Sequence, residues 1–301
     1  GAGWLEATGT LDLAAAPAWD LALSARGLDP GMLAPDWPGA VDLEARTSGA
    51  LREAGGHDGR LDLDRVGGSL RDRPLSGSGW LTASGERIAA DLALDLGGNR
   101  IRVEGDLAPA LDAAVVLRLP EPGLLLDGAR GNASADLRVA GAWPALLLSG
   151  RADAQDLVLP GIEVAAADAE FDLRTDLSGQ PAATVRASGV AIGEERIEEL
   201  TLRLSSRADL AELAAELSVT GRGTAELALE GRLGQPGPAF DGRLRELSLR
   251  ADDLPEPLVL AEPVALSASA AHLGLEQACL QAAPTRLCVA ADWRQDTGGS
   301  V

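Results

Sequence analysis

At 301 residues the chain is long enough for one large domain, two ordinary ones or a repeat array. Apolar residues make up 46 %, which argues against disorder, yet Tyr is absent, Phe appears twice and Met once, so the inner surface is aliphatic and offers little of the aromatic packing with which enzymes position ligands. The net charge of −20, with 46 acids against 26 bases that are all arginine, repels phosphate backbones; it argues against nucleic-acid binding and against lying flat on an anionic bilayer.

No run reaches the roughly 18 apolar residues of a membrane span. The opening GAGWLEATG and the closing RQDTGGSV read as cuts through something longer, so the chain is expected to be an interior piece. In chain order, the clearest element is ADLALDLGGNRIRVEGDL, residues 90–107. Leu92, Leu94 and Leu96 alternate with polar or small residues, as do Ile101 and Val103 beyond Gly-Gly-Asn-Arg, which marks two strands with one apolar face each. A two-residue turn at Gly98-Asn99 is expected because both residues tolerate positive φ. It sets Leu96 opposite Ile101 and Leu94 opposite Val103, so the apolar rows share a face.

Further along, TLRLSS places Leu202 and Leu204 on one side. AELSVTG does so with Leu217 and Val219, and AELALEG with Leu227 and Leu229. The stretch ADLAELAAEL fits a helix period through Leu210, Leu213 and Leu217 but also alternates, and stays open between helix and strand. Everything else reads as strand. Over this lies a longer period: VDLEARTSG, ADLRVAG and AELALEG begin at residues 41, 135 and 225, and each precedes a Gly-Arg pair, at Gly59, Gly150 and Gly242. The expectation is one continuous β-repeat segment over 1–301, with copies at about 41–134, 135–224 and 225–301.

Residues able to carry chemistry are scarce. His57 sits in GGHDG, read as a turn, and His272 in SAAHLGL; neither has a second ligand at metal spacing. Ser76-Gly77-Ser78-Gly79 lacks the glycine two before Ser78 that a nucleophile elbow needs. Gly221-Arg222-Gly223 has Glu226 where a dinucleotide fingerprint needs glycine, and the calcium-like DLDRVG from Asp62 carries Val66 and Arg73 at ligand positions. No catalytic residue, metal site or cofactor is expected. In ACLQAAPTRLCVAADW a loop centred on Ala283-Pro284 puts Cys279 opposite Cys288 and Leu280 opposite Leu287. A four-residue loop is expected, since Pro284 cannot take positive φ. The pair fits either a hairpin disulfide, which would imply an oxidising compartment, or two reduced core cysteines.

The stretches PLSGSGWLTASGERIAADLALDLGGNRIRVEGDL (74–107) and LDGARGNASADLRVAGAWPALLLSGRADAQDLVLPG (126–161), with the cysteine hairpin and Trp293, resemble the TamB family of the AsmA-like superfamily. The likeness lies in repeated G-x-L-x-L-x-G strands and the Gly-x-Asn-x-Ile-x-Val-x-Gly hairpin. The resemblance implies an all-β fold with few or no helices: a repetitive, elongated, antiparallel-rich sheet curled into an open apolar trough, a β-taco. It implies a periplasmic location, an inner-membrane anchor outside this chain, and a TamA-like outer-membrane β-barrel as partner through regions not present here. It implies conduction of phospholipid acyl chains between the two membranes along Leu92, Leu94, Leu96, Ile101, Val103, Leu202, Leu204, Leu217, Val219, Leu227 and Leu229. Alternation serves an open trough and a closed core equally well, so a structural or adhesive β-repeat and a scaffold for outer-membrane protein assembly remain rival readings.

Overall fold

The computed structural model describes residues 3–13, 16–51, 57–142, 145–175, 180–193, 195–207, 210–219, 223–234, 239–251, 254–269, 271–294 and 298–300. The chain divides into two compact units, Gly1–Trp143 and Pro144–Val301. Both are all-β and antiparallel, with no α-helix among the described residues.

The first unit runs through β1 (Trp4–Asp12), β2 (Ala18–Leu28), β3 (Gly39–Leu51), β4 (His57–Leu70) and β5 (Arg73–Ser84). It continues with β6 (Arg87–Leu96), β7 (Asn99–Ala108), β8 (Leu111–Leu119) and β9 (Arg130–Ala142). Each strand pairs with the next in an up-and-down meander. Two 3-10 turns, Pro30–Met32 and Pro122–Leu124, occupy the connections β2–β3 and β8–β9. His57 is the first residue of β4, opposite Leu51, instead of a turn residue.

The 90–107 hairpin forms with its turn one residue earlier than expected. Gly97 and Gly98 take φ of 60° and 93°, Leu96 pairs with Asn99, Leu94 with Ile101 and Leu92 with Val103. Either glycine accepts left-handed geometry more cheaply than Asn, so the Gly-Gly pair takes the turn. The pairing changes by two residues in sum, so the apolar rows still share a face.

The second unit comprises β10 (Ala145–Leu159), β11 (Ile162–Arg174), β12 (Ala182–Ile192), β13 (Glu195–Arg207), β14 (Leu210–Val219), β15 (Gly223–Gly234) and β16 (Ala239–Ala251). After them come β17 (Leu258–Leu260), β18 (Val264–Ser269), β19 (His272–Ala282), β20 (Thr285–Arg294) and β21 (Gly298–Ser300). The ambiguous stretch is strand β14, paired along its length with β13 and β15. Neighbours on both sides override its helical leucine spacing. β17 and β18 share one strand's place between β16 and β19.

The three sequence landmarks VDLEARTSG, ADLRVAG and AELALEG fall on β3, β9 and β15, and the Gly-Arg pairs on β4, β10 and β16. One repeat spacing therefore corresponds to six strands.

Cys279 and Cys288 are a direct cross-strand pair of β19 and β20 and form a disulfide, with Leu280 opposite Leu287. The loop is shorter than expected: Ala282 pairs with Thr285, leaving only Ala283 and Pro284, joined by a cis peptide. The bar against proline holds for turns with positive φ, and a turn with cis-proline in its third position has no such demand. The disulfide faces away from the Leu280–Leu287 pair, onto the polar side of the sheet. Its small closed loop contributes about 2–3 kcal/mol. Reduction, or Cys288→Ser, should lower stability by that amount, measured by denaturant unfolding of the oxidised and reduced forms.

Candidate functional site

The registers of the first unit can be followed from strand to strand to ask which side chains share a face. One face carries Leu5 and Leu11 on β1, Leu21 and Leu23 on β2, Val41 and Leu43 on β3, and Leu61 and Leu63 on β4. It continues through Leu75 and Leu81, then Leu92, Leu94 and Leu96, then Ile101 and Val103, Val115 and Leu117, and Leu137 and Val139 on β9. Among the described residues no Asp or Glu enters these rows, and the one Arg is Arg73, at the end of β5 beyond Leu75. In the second unit, Leu202 and Leu204 of β13 pair with Ala215 and Leu213 of β14, which pair in turn with Leu227 and Leu229 of β15. The backbone register sets Leu217 opposite Leu200 and Val219 opposite Ile197; the side chains of Leu217 and Val219 lie outside the described residues.

The opposite face is charged and internally paired. Arg46 bonds Asp64, Arg87 bonds Asp106, Arg118 bonds Asp136 and Arg138 bonds Asp112, each linking neighbouring strands. Arg102 bridges Asp91 and Glu104, and Arg186 meets Asp168 in the second unit. Such exposed pairs contribute little each. Hydrogen bonds from Arg60 hold the Asp62 carboxyl below its ordinary pKa. Asp62 should thus still be ionised where free carboxylates begin to protonate, and its small stabilising effect should fade only as pH falls through that lowered value. Carboxyl titration by NMR checks this.

What covers the apolar face decides its use. The main contacts between elements within each unit are those of neighbouring strands, joined by the two 3-10 turns resting on β3 and β9. The accessible surface is 18580 Å². Two separate compact globules of half this mass would together expose only about 14,000 Å². Large aliphatic side chains on the face stay accessible: Leu94, in mid-sheet, is 39 % exposed. In the first unit the buried apolar positions are mostly small, among them Ala25, Ala45, Ala90 and Ala113. A roofed core would show the reverse, with its largest aliphatics sealed.

Glycine shapes this surface. Gly77 and Gly79 put no side chain on it, and Leu94 and Leu92 lean into the space: a Cβ at Gly77 would sit 3.1 Å from Leu94 Cδ1, and one at Gly79 3.0 Å from Leu92 Cδ2. The Ser-Gly-Ser-Gly run thus makes a smooth apolar floor on one face and a hydroxyl row on the other. The cross-strand pair Gly49–Gly59 lies under the Trp19 ring, whose Nε1 donates to Thr47 Oγ1 at 3.0 Å. Phe240 likewise lies over the pair Gly231–Gly242, and Gly150 pairs with Phe171. The glycine of every Gly-Arg landmark therefore sits beside an aromatic ring. These rings went unassigned in the sequence because partner and glycine lie 21 or more residues apart in two of the three cases. A Cβ at Gly49 would run into the ring, whereas at Gly59 it would have 3.6 Å of room. Gly49→Ala should cost about 1–3 kcal/mol and red-shift tryptophan emission, while Gly59→Ala should be near neutral.

The earlier candidate motifs are structural. Ser76–Gly79 lies within β5, Asp62–Gly67 within β4, and Gly221 and Arg222 lie outside the described residues. His272 opens β19, with Nε2 3.5 Å from Asp292 Oδ1. Among the described residues no three His, Cys, Asp or Glu side chains gather as a metal site would require. Among the described residues no helix is long and apolar enough to cross a membrane.

The fold and face define a class: an antiparallel β-repeat protein with one aliphatic, largely uncovered face and one ion-paired face. The model of the TamB N-terminal domain matches residues 1–301, and the chain belongs to the TamB family. Neither curated proteins nor solved structures gave a match. The family is a bacterial envelope component associated with the translocation and assembly module.

Proposed function

We propose that the apolar face conducts phospholipid acyl chains between the inner and outer membranes, as a periplasmic segment of a longer protein anchored elsewhere in the inner membrane. The single observation that supports this most is an aliphatic face that carries no carboxylate and stays open to solvent at Leu94 in mid-sheet. Drawing a sixteen-carbon chain through water costs about 12 kcal/mol at ~0.8 kcal/mol per CH₂. A continuous aliphatic face removes most of that barrier. Because Leu, Val and Ala offer no hydrogen bond, no position holds the chain tightly enough to stall it. The ion-paired outer face keeps the sheet soluble. On this reading a TamA-like β-barrel is the outer-membrane partner through regions outside this chain, and the family's role in outer-membrane assembly follows from lipid supply.

The test is a photo-crosslinker placed at Leu94 or at Ala93 in the full-length protein. Phospholipid captured at 94 and not at 93 supports conduction. Equal capture, or none at 94, overturns it.

A further inference from the structure

Among the described residues one buried polar side chain stands on the apolar face of the first unit. Asn99 pairs directly with Leu96 and so points to the same side, yet it is only 1 % exposed. Its Nδ2 donates to Glu121 O at 2.8 Å, and its Oδ1 accepts from Glu121 N at 3.0 Å. Both hydrogen-bonding groups of one backbone residue, 22 positions away, are thus satisfied by one amide. The connection between β8 and β9 must therefore pass on the apolar side of the sheet. Its Leu124 reaches Gly97, coming within 2.9 Å of where a Cβ there would sit. Two further side chains hold it: Arg71 donates to Leu124 O at 2.9 Å and pairs with Asp127, and Arg73 pairs with Glu121. The consequence is read in burial. Leu96 is 3 % exposed beneath this segment and Leu75 is also buried, whereas Leu94, the next residue of the same row, is open. The Pro-Gly turn alone does not do this: in the matching turn at Pro30–Met32, Met32 and the following Leu33 stand free in solvent.

We infer that residues 120–129 form a fixed strap, pinned by Asn99, that walls off one margin of the apolar face and confines acyl chains to the lane of Leu92, Leu94, Ile101 and Val103. Leu96, although part of the row, belongs to the wall's footing and not to the lane. This rests on the lipid reading for its cargo, while the strap itself is testable without lipid. Releasing the strap widens the lane by one residue on each of β6 and β7, Leu96 and Asn99.

In the full-length protein, Leu94→Cys should react with a soluble maleimide at least tenfold faster than Leu96→Cys, read by peptide mass spectrometry. Adding Asn99→Ala should raise labelling at 96 at least tenfold and leave 94 within twofold. Leu124→Ala, which thins the strap and alters no strand residue, should raise labelling at 96 as well. Cysteine at Ala90 should stay unreactive throughout; its labelling in the Asn99→Ala background alone would reveal unfolding and leave Leu124→Ala to decide. Equal labelling at 94 and 96 in the parent overturns the strap. With labelling as expected, a photo-crosslinker should capture phospholipid at 94 and at 96 only after strap release. Capture at 96 equal to that at 94 in the parent overturns the wall. Capture at neither position overturns the lipid reading, and with it the wall's role, while the labelling result still establishes the strap.

Discussion

Leu94→Asp should abolish most lipid transfer or occupancy while lowering stability by only about 1–2 kcal/mol, the share of leucine burial that a half-open site supplies. The carboxylate would stand in the proposed acyl-chain lane, yet water reaches position 94, so the charge keeps its hydration when no cargo is present. The cost falls on the cargo, whose methylenes would have to displace that water. Ala93→Asp, one residue away on the ion-paired face, should leave both stability and transfer nearly unchanged, which controls for strand propensity and added charge. Unfolding titrations and lipid co-purification on the two variants check this. Gross unfolding by Leu94→Asp would show a roofed face. Unchanged lipid occupancy would show that cargo does not use it.

Much of this face was legible because alternation is local. The rows Leu92–Leu96 and Ile101–Val103 need only a period of two and a short turn, and any two-residue turn of the right parity gives the same face. That is why a misplaced turn at Gly98-Asn99 did no harm to the face, although it hid what Asn99 does. An asparagine beside two glycines reads as a turn residue from its neighbours alone. Its actual partner, Glu121, is set by the path of a later connection, and no local pattern reports that path. The disulfide register was legible for the same reason as the rows, since Cys279 and Cys288 sit symmetrically about one loop. The loop's length was not, because loops of two and of four residues centred on Ala283-Pro284 leave the same register.

The aromatic rings show the opposite limit. Trp19, Phe171 and Phe240 are few enough to be conspicuous, and glycines at 59, 150 and 242 mark the repeat spacing. Still, no ring is at constant distance from its glycine: Trp19 lies two strands before Gly59, Phe171 one strand after Gly150, and Phe240 two residues before Gly242. The same packing need, a flat ring over a bare stretch of sheet, is met from three directions. Open face versus closed core was illegible in principle, since both require the same alternation, and only the inverted burial of large and small residues distinguishes them.

That inversion carries the strongest stability prediction. Ala90→Asp should cost roughly 3–5 kcal/mol, several times the effect of Leu94→Asp, although both lie on one face of one strand and the side chain lost is far smaller. Ala90 is 0 % exposed, lodged between Leu81 of β5 and Gly105 of β7. A carboxylate there would lose its water and gain no partner, because every arginine of β5, β6 and β7 that forms an ion pair does so on the other face or at the rim. Ala90→Leu separates charge from bulk: overpacking alone should cost about 1–3 kcal/mol. In a roofed core this difference would vanish, with the leucine position intolerant of a charge and at least as sensitive as Ala90 four residues before it. Denaturant midpoints of the three variants, at constant slope, decide between them. Equal losses at 90 and 94 would mean that the face is covered in solution and that acyl chains have no open lane to follow.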